Sequence, residues 1–479
     1  MITEDKFRNM KFKDLFNEDW SVNWEKILTI SHFSKLQETS QSSTWHREGN
    51  VYIHLQLVTQ VMEKLLSINN IEKGSEEWIM CVMAAICHDL GKADTTKWSD
   101  EKNDWTTKNH GVVGERITRH LFYDEDIVMR EKICYMVRHH MTLHHVLDKP
   151  EETNRRLIKL SHGIVPIKYM LWLNEADSKG SINDIETEEF INKKVNTIYD
   201  KVCTMACYTQ PYSYVENSQL IRNFIGYEGE VVNKTNDFCA YILCGFPGCG
   251  KSTYIKNNLN DITVISRDII RQELGIGGAT LKNDKKVVGT REEEDKVSEI
   301  FNKKMIECCE NKESFILDNT NLKYQYRKDY LLKIMKYNPK VKIIYVEAPN
   351  YIKDCIERRK GEIPKKVYDR MENNFDFPQL YECDELIIVK QHTDSKDEIH
   401  TFKGSFTPDL IYDTRTVNGC DYISKAKVLN DLKITRGAMI LDGYDCYDSC
   451  IKYMDELIKT YENIFDYTEL FGEIPLKTD

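Results

Sequence analysis

Two groups of residues in this sequence are of types that hold metals or work on phosphates. Eleven of its 13 histidines fall between His32 and His162, and a glycine-rich loop, Gly245-Phe-Pro-Gly248-Cys-Gly250-Lys251-Ser252-Thr253, lies well beyond them. The loop reads G-x-x-x-x-G-K-S, preceded by the strand-like run Ala240-Tyr-Ile-Leu-Cys244 and followed by Tyr254, Ile255 and Leu259 at helical spacing. In that context the glycines let backbone N–H groups face phosphates, and the helix N-terminus adds positive potential. Lys251 then reaches the β- and γ-phosphates of a nucleotide, and Ser252 takes Mg²⁺. Gly245, Gly248, Gly250, Lys251, Ser252 and Thr253 are the expected nucleotide contacts. The motif points to an NTP donor and leaves the acceptor open.

The histidines sit at element positions that converge. His54 shares the inward face of a helix with Val51, Leu55, Val58 and Met62. His88-Asp89 lies in the last turn of a nearly all-apolar helix that starts near Trp78 and ends at Gly91. A carboxylate at the end of a buried helix needs a partner, and a divalent transition metal accepts both imidazole and carboxylate ligands. His110 opens a further helix, His139-His140 close one that includes Ile133 and Val137, and Asp177 follows the apolar run Tyr169-Met-Leu-Trp-Leu173. Adjacent helical residues point about 100° apart, so His139 and His140 both ligate only if two metals sit between them. Lys92, four residues after His88, is either a phosphate contact or a solvated lysine.

The order His54, His88-Asp89, His110, His139-His140, Asp177 resembles the HD phosphohydrolase superfamily, whose helical bundle gathers such residues around one or two metals. His46-Arg-Glu-Gly-Asn-Val-Tyr-Ile-His54 is similar to the first-helix motif of HD domains attached to tRNA nucleotidyltransferases, and His88-Asp-Leu-Gly-Lys92 to the signature itself. The resemblance implies a site for Mn²⁺, Ni²⁺, Co²⁺, Fe²⁺ or Zn²⁺ and hydrolysis of phosphate esters or cyclic phosphodiesters by metal-activated water. His46, His144 and His145 are further residues within reach of such a pocket.

Beyond the loop, Ile262-Thr-Val-Ile-Ser-Arg-Asp268-Ile-Ile-Arg271 places Asp268 after a short β-rich run, as a base for an attacking hydroxyl or as a helix N-cap. Asp318-Asn-Thr-Asn321 follows another strand, with Arg327 shortly after. The run Ile356-Glu-Arg358-Arg359-Lys360 through Arg370 is the most basic segment of an acidic chain, and in a P-loop kinase it would act as a lid bringing arginine to the transferring phosphoryl. This set resembles the 5′-OH polynucleotide kinases of nucleic acid repair. The resemblance implies Asp268 as general base, Arg271 on the acceptor phosphate, Arg358 or Arg359 on the donor, and Asn321 and Arg327 near the substrate.

The elements that must position these residues imply more than one domain. A chain of 479 residues exceeds one ordinary domain, and 30% charged residues with a mean hydropathy of -0.53 and no long apolar run exclude a membrane span. A net charge of -11 excludes bulk coating of nucleic acid. Fifteen cysteines without a C-x-x-C array read as reduced thiols of a cytoplasmic protein. The expected architecture is an all-α HD-type bundle over residues 1–225, a linker at 226–237, an α/β P-loop domain with a parallel sheet over 238–390, and a small ordered module over 391–479. That module has strand-like Leu410-Ile-Tyr412 and Ala438-Met-Ile-Leu441 and a helix-like run from Tyr447 to Ile464, and it lacks the lysine of a K-x-D-G ligase nucleophile.

Joined, the two parts are similar to the bifunctional HD-type polynucleotide kinase/phosphatase family of bacterial RNA repair. The resemblance implies removal of 2′,3′-cyclic, 2′- or 3′-phosphates in the first part and NTP-dependent phosphorylation of 5′-OH ends in the second. RNA or DNA ends, ATP or another NTP with Mg²⁺, and a separate sealing ligase are the implied partners. A nucleotidase fused to a small-molecule kinase, or an HD nucleotide sensor regulating the P-loop part, uses the same residues.

Overall fold

The structure is a computed structural model that describes residues 10–404 except 43–44, 213–216, 234, 236, 277–280, 283–284, 287–289, 361 and 393–395, together with 415–417 and 420–422. The strands and helix expected at 410–412, 438–441 and 447–464 lie outside the described residues.

The first part is helical. Helix α1 (Val51–Ile68) is capped by Asn50, whose side chain accepts from Ile53 N at 3.0 Å, and it buries Val51, His54, Leu55, Val58 and Met62 on one face. Ser75 caps α2 (Glu76–Cys87), which is buried almost continuously from Trp78 onward. Helix α3 (His110–Leu121), α4 (Ile127–His144) and α5 (Ile167–Gly180) complete the bundle around the site. Two boundaries differ from expectation. Helix α2 ends at Cys87 with His88 as its C-cap, and α4 runs one turn past His139-His140 to His144. The turn after His88-Asp89 must approach α3 closely: a Cβ on Gly91 would collide with the His110 carbonyl oxygen. Between the two, strands β1 (Thr96–Ser99) and β2 (Asp104–Thr107) form an antiparallel hairpin with Trp98 opposite Trp105.

The second part is an α/β domain. Strands β3 (Cys239–Cys244), β4 (Thr263–Ile265), β5 (Phe315–Leu317), β6 (Lys340–Glu347) and β7 (Glu385–Lys390) pair in parallel, in the order β7-β6-β3-β5-β4. Strand order reverses at β3, so a crevice opens at its carboxyl end. One further strand, β8 (Glu398–Lys403), joins β7 antiparallel, so the sheet extends past the boundary expected at residue 390. Helices α6 (Lys251–Asn258), α7 (Arg267–Glu273), α8 (Arg291–Glu310), α9 (Tyr324–Ile334), α10 (Ile352–Arg358) and α11 (Lys365–Asn373) alternate with or follow the strands.

The two parts share a buried, charged seam centred on α4. Arg130 is fully buried and pairs with Glu347, at the end of β6, at 2.8 Å. Glu131 bridges Arg119 and Arg130, and the Arg119 guanidinium lies 3.7 Å above the Phe377 ring. Arg138 pairs with Glu115 at 2.6 Å and with Asp376 across the seam. Tyr123 donates its hydroxyl to the Gln391 carbonyl at 2.6 Å, and Lys390 donates to the Glu125 carbonyl at 2.8 Å. No helix among the described residues is long and apolar enough to cross a membrane.

Candidate functional site

In the helical part, Asp89 is the hub. Its Oδ2 lies 3.3 Å from His88 Nε2 and 3.7 Å from His54 Nε2, while Oδ1 lies 3.3 Å from His110 Nε2 and 3.7 Å from His140 Nε2. Asp177 closes the first side, with Oδ1 2.9 Å from His54 Nε2 and 3.7 Å from His88 Nε2. Two donor sets result, His54-His88-Asp177 and Asp89-His110-His140, each with ligand atoms within 4.8 Å of one another and all buried.

The backbone fixes which imidazole nitrogen faces inward. His88, His110 and His140 each direct Nδ1 at a carbonyl, of Ala85 at 2.8 Å, Thr107 at 3.2 Å and Val137 at 2.7 Å. A carbonyl only accepts, so Nδ1 carries the proton and Nε2 presents a lone pair. His110 Nε2 and His140 Nε2 then stand 3.0 Å apart, lone pair to lone pair. His88 Nε2 and Asp89 Oδ1 are buried without a hydrogen bond. Facing lone pairs and a bare buried carboxylate oxygen are stable only with a cation among them, so the residues fit a metal centre with room for two donor sets.

The charges agree. Burial would raise the Asp89 carboxyl, but Lys92 and His88 outweigh it and hold it well below the usual carboxylate range. Asp177 is likewise held down against burial by His88 and His144. Burial pushes His110 and His140 down, keeping them neutral ligands. Burial also opposes a charge on His54, yet hydrogen bonds to Asp177 and Glu48 lift it to about 9.

Of the histidines expected to ligate, His139 stands apart: its Nε2 lies 3.2 Å from Gln379 Oε1 of the second domain, on the far side of α4 from the cluster. Lys92 is buried and pairs with Asp89 Oδ2 at 2.7 Å, with a second bond to Gln41 Oε1 at 3.1 Å. His144 reaches Asp177 Oδ2 at 2.9 Å, whereas His145 points outward to Asp148. Sequence reading missed Glu48. Its Oε1 lies 3.0 Å from His54 Nδ1 and 2.8 Å from His46 Nδ1. The one available signal was an acid inside the His46 to His54 run.

In the α/β domain, Gly248 and Gly250 take positive φ of 86° and 102°, and α6 begins directly at Lys251. Lys251 Nζ donates to the carbonyls of Gly245 at 2.9 Å and Phe246 at 3.0 Å, within the loop, and Ser252 and Thr253 stand exposed in the first turn. Ser266 holds the N-cap position of α7, so Asp268 is not the cap; its side chain is 82% exposed and accepts from Arg271 Nη1 at 2.6 Å. Arg271 is also gripped by Glu294 of α8 through two bonds of 2.8 Å. Arg358 donates to Gln391 Oε1 at 2.7 Å above the loop, and Arg359 pairs with Glu362 at 3.4 Å.

Asn321 and Arg327 are not in the open cleft. Asn321 is buried and ties the Leu243 and Leu317 carbonyls at 2.7 and 3.2 Å, joining the ends of β3 and β5. Arg327 is fully buried against Glu382 at 2.7 Å. Both brace the sheet under the loop, because each finds fixed acceptors in the interior that outcompete solvent.

Residues 51–162 match the protein-family model for the HD domain, and residues 241–378 match a model described as an AAA domain, here of the P-loop kinase-like kind. The matches fall on the two parts that carry the two sites.

Proposed function

We propose that the protein heals broken RNA ends, phosphorylating 5′-OH termini in the P-loop domain and removing 2′,3′-cyclic, 2′- or 3′-phosphates in the HD domain. The observation that carries the reading is one chain holding both a buried cluster of imidazole and carboxylate donors and a P-loop domain with an exposed Asp268 after its second strand. The resemblance of the whole arrangement to bacterial end-healing enzymes supports the same conclusion.

In the kinase half, Lys251 leaves its loop carbonyls for the phosphates of ATP or another NTP, whose Mg²⁺ Ser252 helps hold. Asp268 takes the proton of the terminal hydroxyl, and Arg271 and the lid arginine at 358 or 359 steady the phosphates on either side. In the HD half, His54, His88, Asp89, His110, His140 and Asp177 would hold divalent ions, which would supply an acidified water and positive charge for the phosphoryl group. The backbone carbonyls set the tautomers of His88, His110 and His140, Glu48 faces His54, and Lys92 fixes Asp89. Ligation of the healed ends falls to a separate ligase.

The test is a short RNA with a 5′-OH and a 2′,3′-cyclic phosphate, followed at both ends with ATP, Mg²⁺ and added Mn²⁺, Ni²⁺ or Co²⁺. Wild type gains a 5′-phosphate and loses the cyclic phosphate; Lys251→Ala loses only the first reaction and Asp89→Ala only the second. Phosphorylation of free nucleosides with both RNA ends untouched sinks the proposal in favour of a small-molecule kinase.

A further inference from the structure

The hairpin β1–β2 is inserted in the chain between two residues of the metal centre and stands on both. At one foot, Thr96 Oγ1 donates to the Lys92 carbonyl at 2.7 Å; at the other, the Thr107 carbonyl accepts from His110 Nδ1 at 3.2 Å. Lys92 and His110 each face one oxygen of Asp89, at 2.7 and 3.3 Å. Above these feet, Trp98 and Trp105 face each other across the hairpin, edge to face with ring centroids 5.5 Å apart. They lie two residue pairs above the feet, roughly 7 Å along the strands.

Both indoles are open to solvent, at 48% and 37% of their surface. The third exposed tryptophan of the chain, Trp45 at 51%, sits beside His46, and its segment is joined to the hairpin by a bond between Ser42 and Asp104. The other four of the seven tryptophans are buried or partly buried in the helical core. Every exposed tryptophan therefore lies on the hairpin or in the segment bonded to it. A cross-strand indole pair steadies a hairpin, but that accounts neither for Trp45 nor for the siting of the hairpin. Aromatic faces left in water beside a phosphate-hydrolysing site match what an unpaired nucleic acid strand offers next to its terminal phosphate, namely unstacked bases.

We propose that Trp98 and Trp105 form a stacking platform for the nucleobases next to the 3′-terminal phosphate of single-stranded RNA, making the HD site selective for polynucleotide ends over free phosphomonoesters. This rests on the reading of the HD domain as acting on polynucleotide ends. Stacking uses a face that every base possesses, so the platform confers little sequence preference.

The test is a coupling measurement on the full chain, using anisotropy of two fluorescein-labelled RNA hexamers with a 3′-phosphate. One hexamer carries all its bases; the other is abasic at its last two nucleotides, with the same backbone charge. Wild type binds the complete hexamer about tenfold to a hundredfold more tightly. The Trp98→Leu/Trp105→Leu protein keeps an apolar hairpin and no longer tells the two apart, and Trp98→Phe/Trp105→Phe restores most of the difference. Equal weakening of both hexamers, as collapse of the hairpin would give, overturns the platform, as does an undiminished preference in the leucine protein. A wild-type dimer that the leucine changes dissociate, with no base coupling, assigns the face to a second copy of the chain and also overturns it. Failure of wild type to bind either hexamer sinks the polynucleotide reading itself.

Discussion

Asp89 touches more of the metal centre than any other side chain, with one oxygen toward each donor set. Asp89→Asn keeps its size and removes its charge. Loss of phosphohydrolase activity by at least about a hundredfold with intact kinase activity is expected, measured on the two RNA ends. Glu48 places a carboxylate 3.0 Å from His54 Nδ1, while Nε2 of the same ring faces Asp177, a position from which it would orient His54. Glu48→Gln should weaken divalent binding about tenfold to a hundredfold, read by titrating Mn²⁺ in calorimetry, and a wild-type isotherm would refute its positioning role. The clustering of His54, His88, Asp89, His110, His140 and Asp177 could be read from the sequence because imidazole and carboxylate on buried helical faces need one another as partners. The choice between His139 and His140 could not, since both faces of α4 are buried, one against the metal centre and the other against Gln379.

Helices α7 and α8 meet through Arg271 and Glu294, and here ionisation controls the element contact. Arg271 above all, with Arg267, holds the Glu294 carboxyl down to about 2. A depressed carboxylate contributes stability that is full above its unfolded value of 4.5 and fades as pH falls toward about 2. Glu294→Gln should therefore melt below wild type at about pH 7, with the gap narrowing as pH drops from about 4.5 toward 3; a pH-independent gap would point to lost packing instead. Strands β3 to β7 were legible as short apolar runs before turn or polar residues. The edge strand β8 and the hairpin β1–β2 were not, because Glu398–Lys403 holds only Ile399 and Phe402 among polar residues, and Thr96–Thr107 only its two tryptophans, too few for an apolar run or a period of two.

At the scale of the whole chain, the seam is built from pairs far apart in sequence, such as Tyr123 with Gln391 across 268 residues, and no local pattern announces them. Truncating Glu347 removes one of the two buried carboxylates that face Arg130 and leaves Glu131 to serve both Arg119 and Arg130. Glu347→Ala should lower unfolding stability by about 3–5 kcal/mol in chemical denaturation, and it should depress both activities in parallel. A loss below about 1 kcal/mol would mean that solvent reaches the site of the pair.

Helix α4 carries Arg130, Arg138 and His139 into the seam and His140 into the metal centre. A gene interrupted near the joint between the parts would thus not yield two working halves. The first would meet water with Arg130 and Arg138 each short of one carboxylate partner, and the second with Glu347 and Asp376 short of their arginines. Selection on the folding of either part therefore acts on the other as well, and a lesion in the seam, unlike one confined to a single site, reaches both reactions.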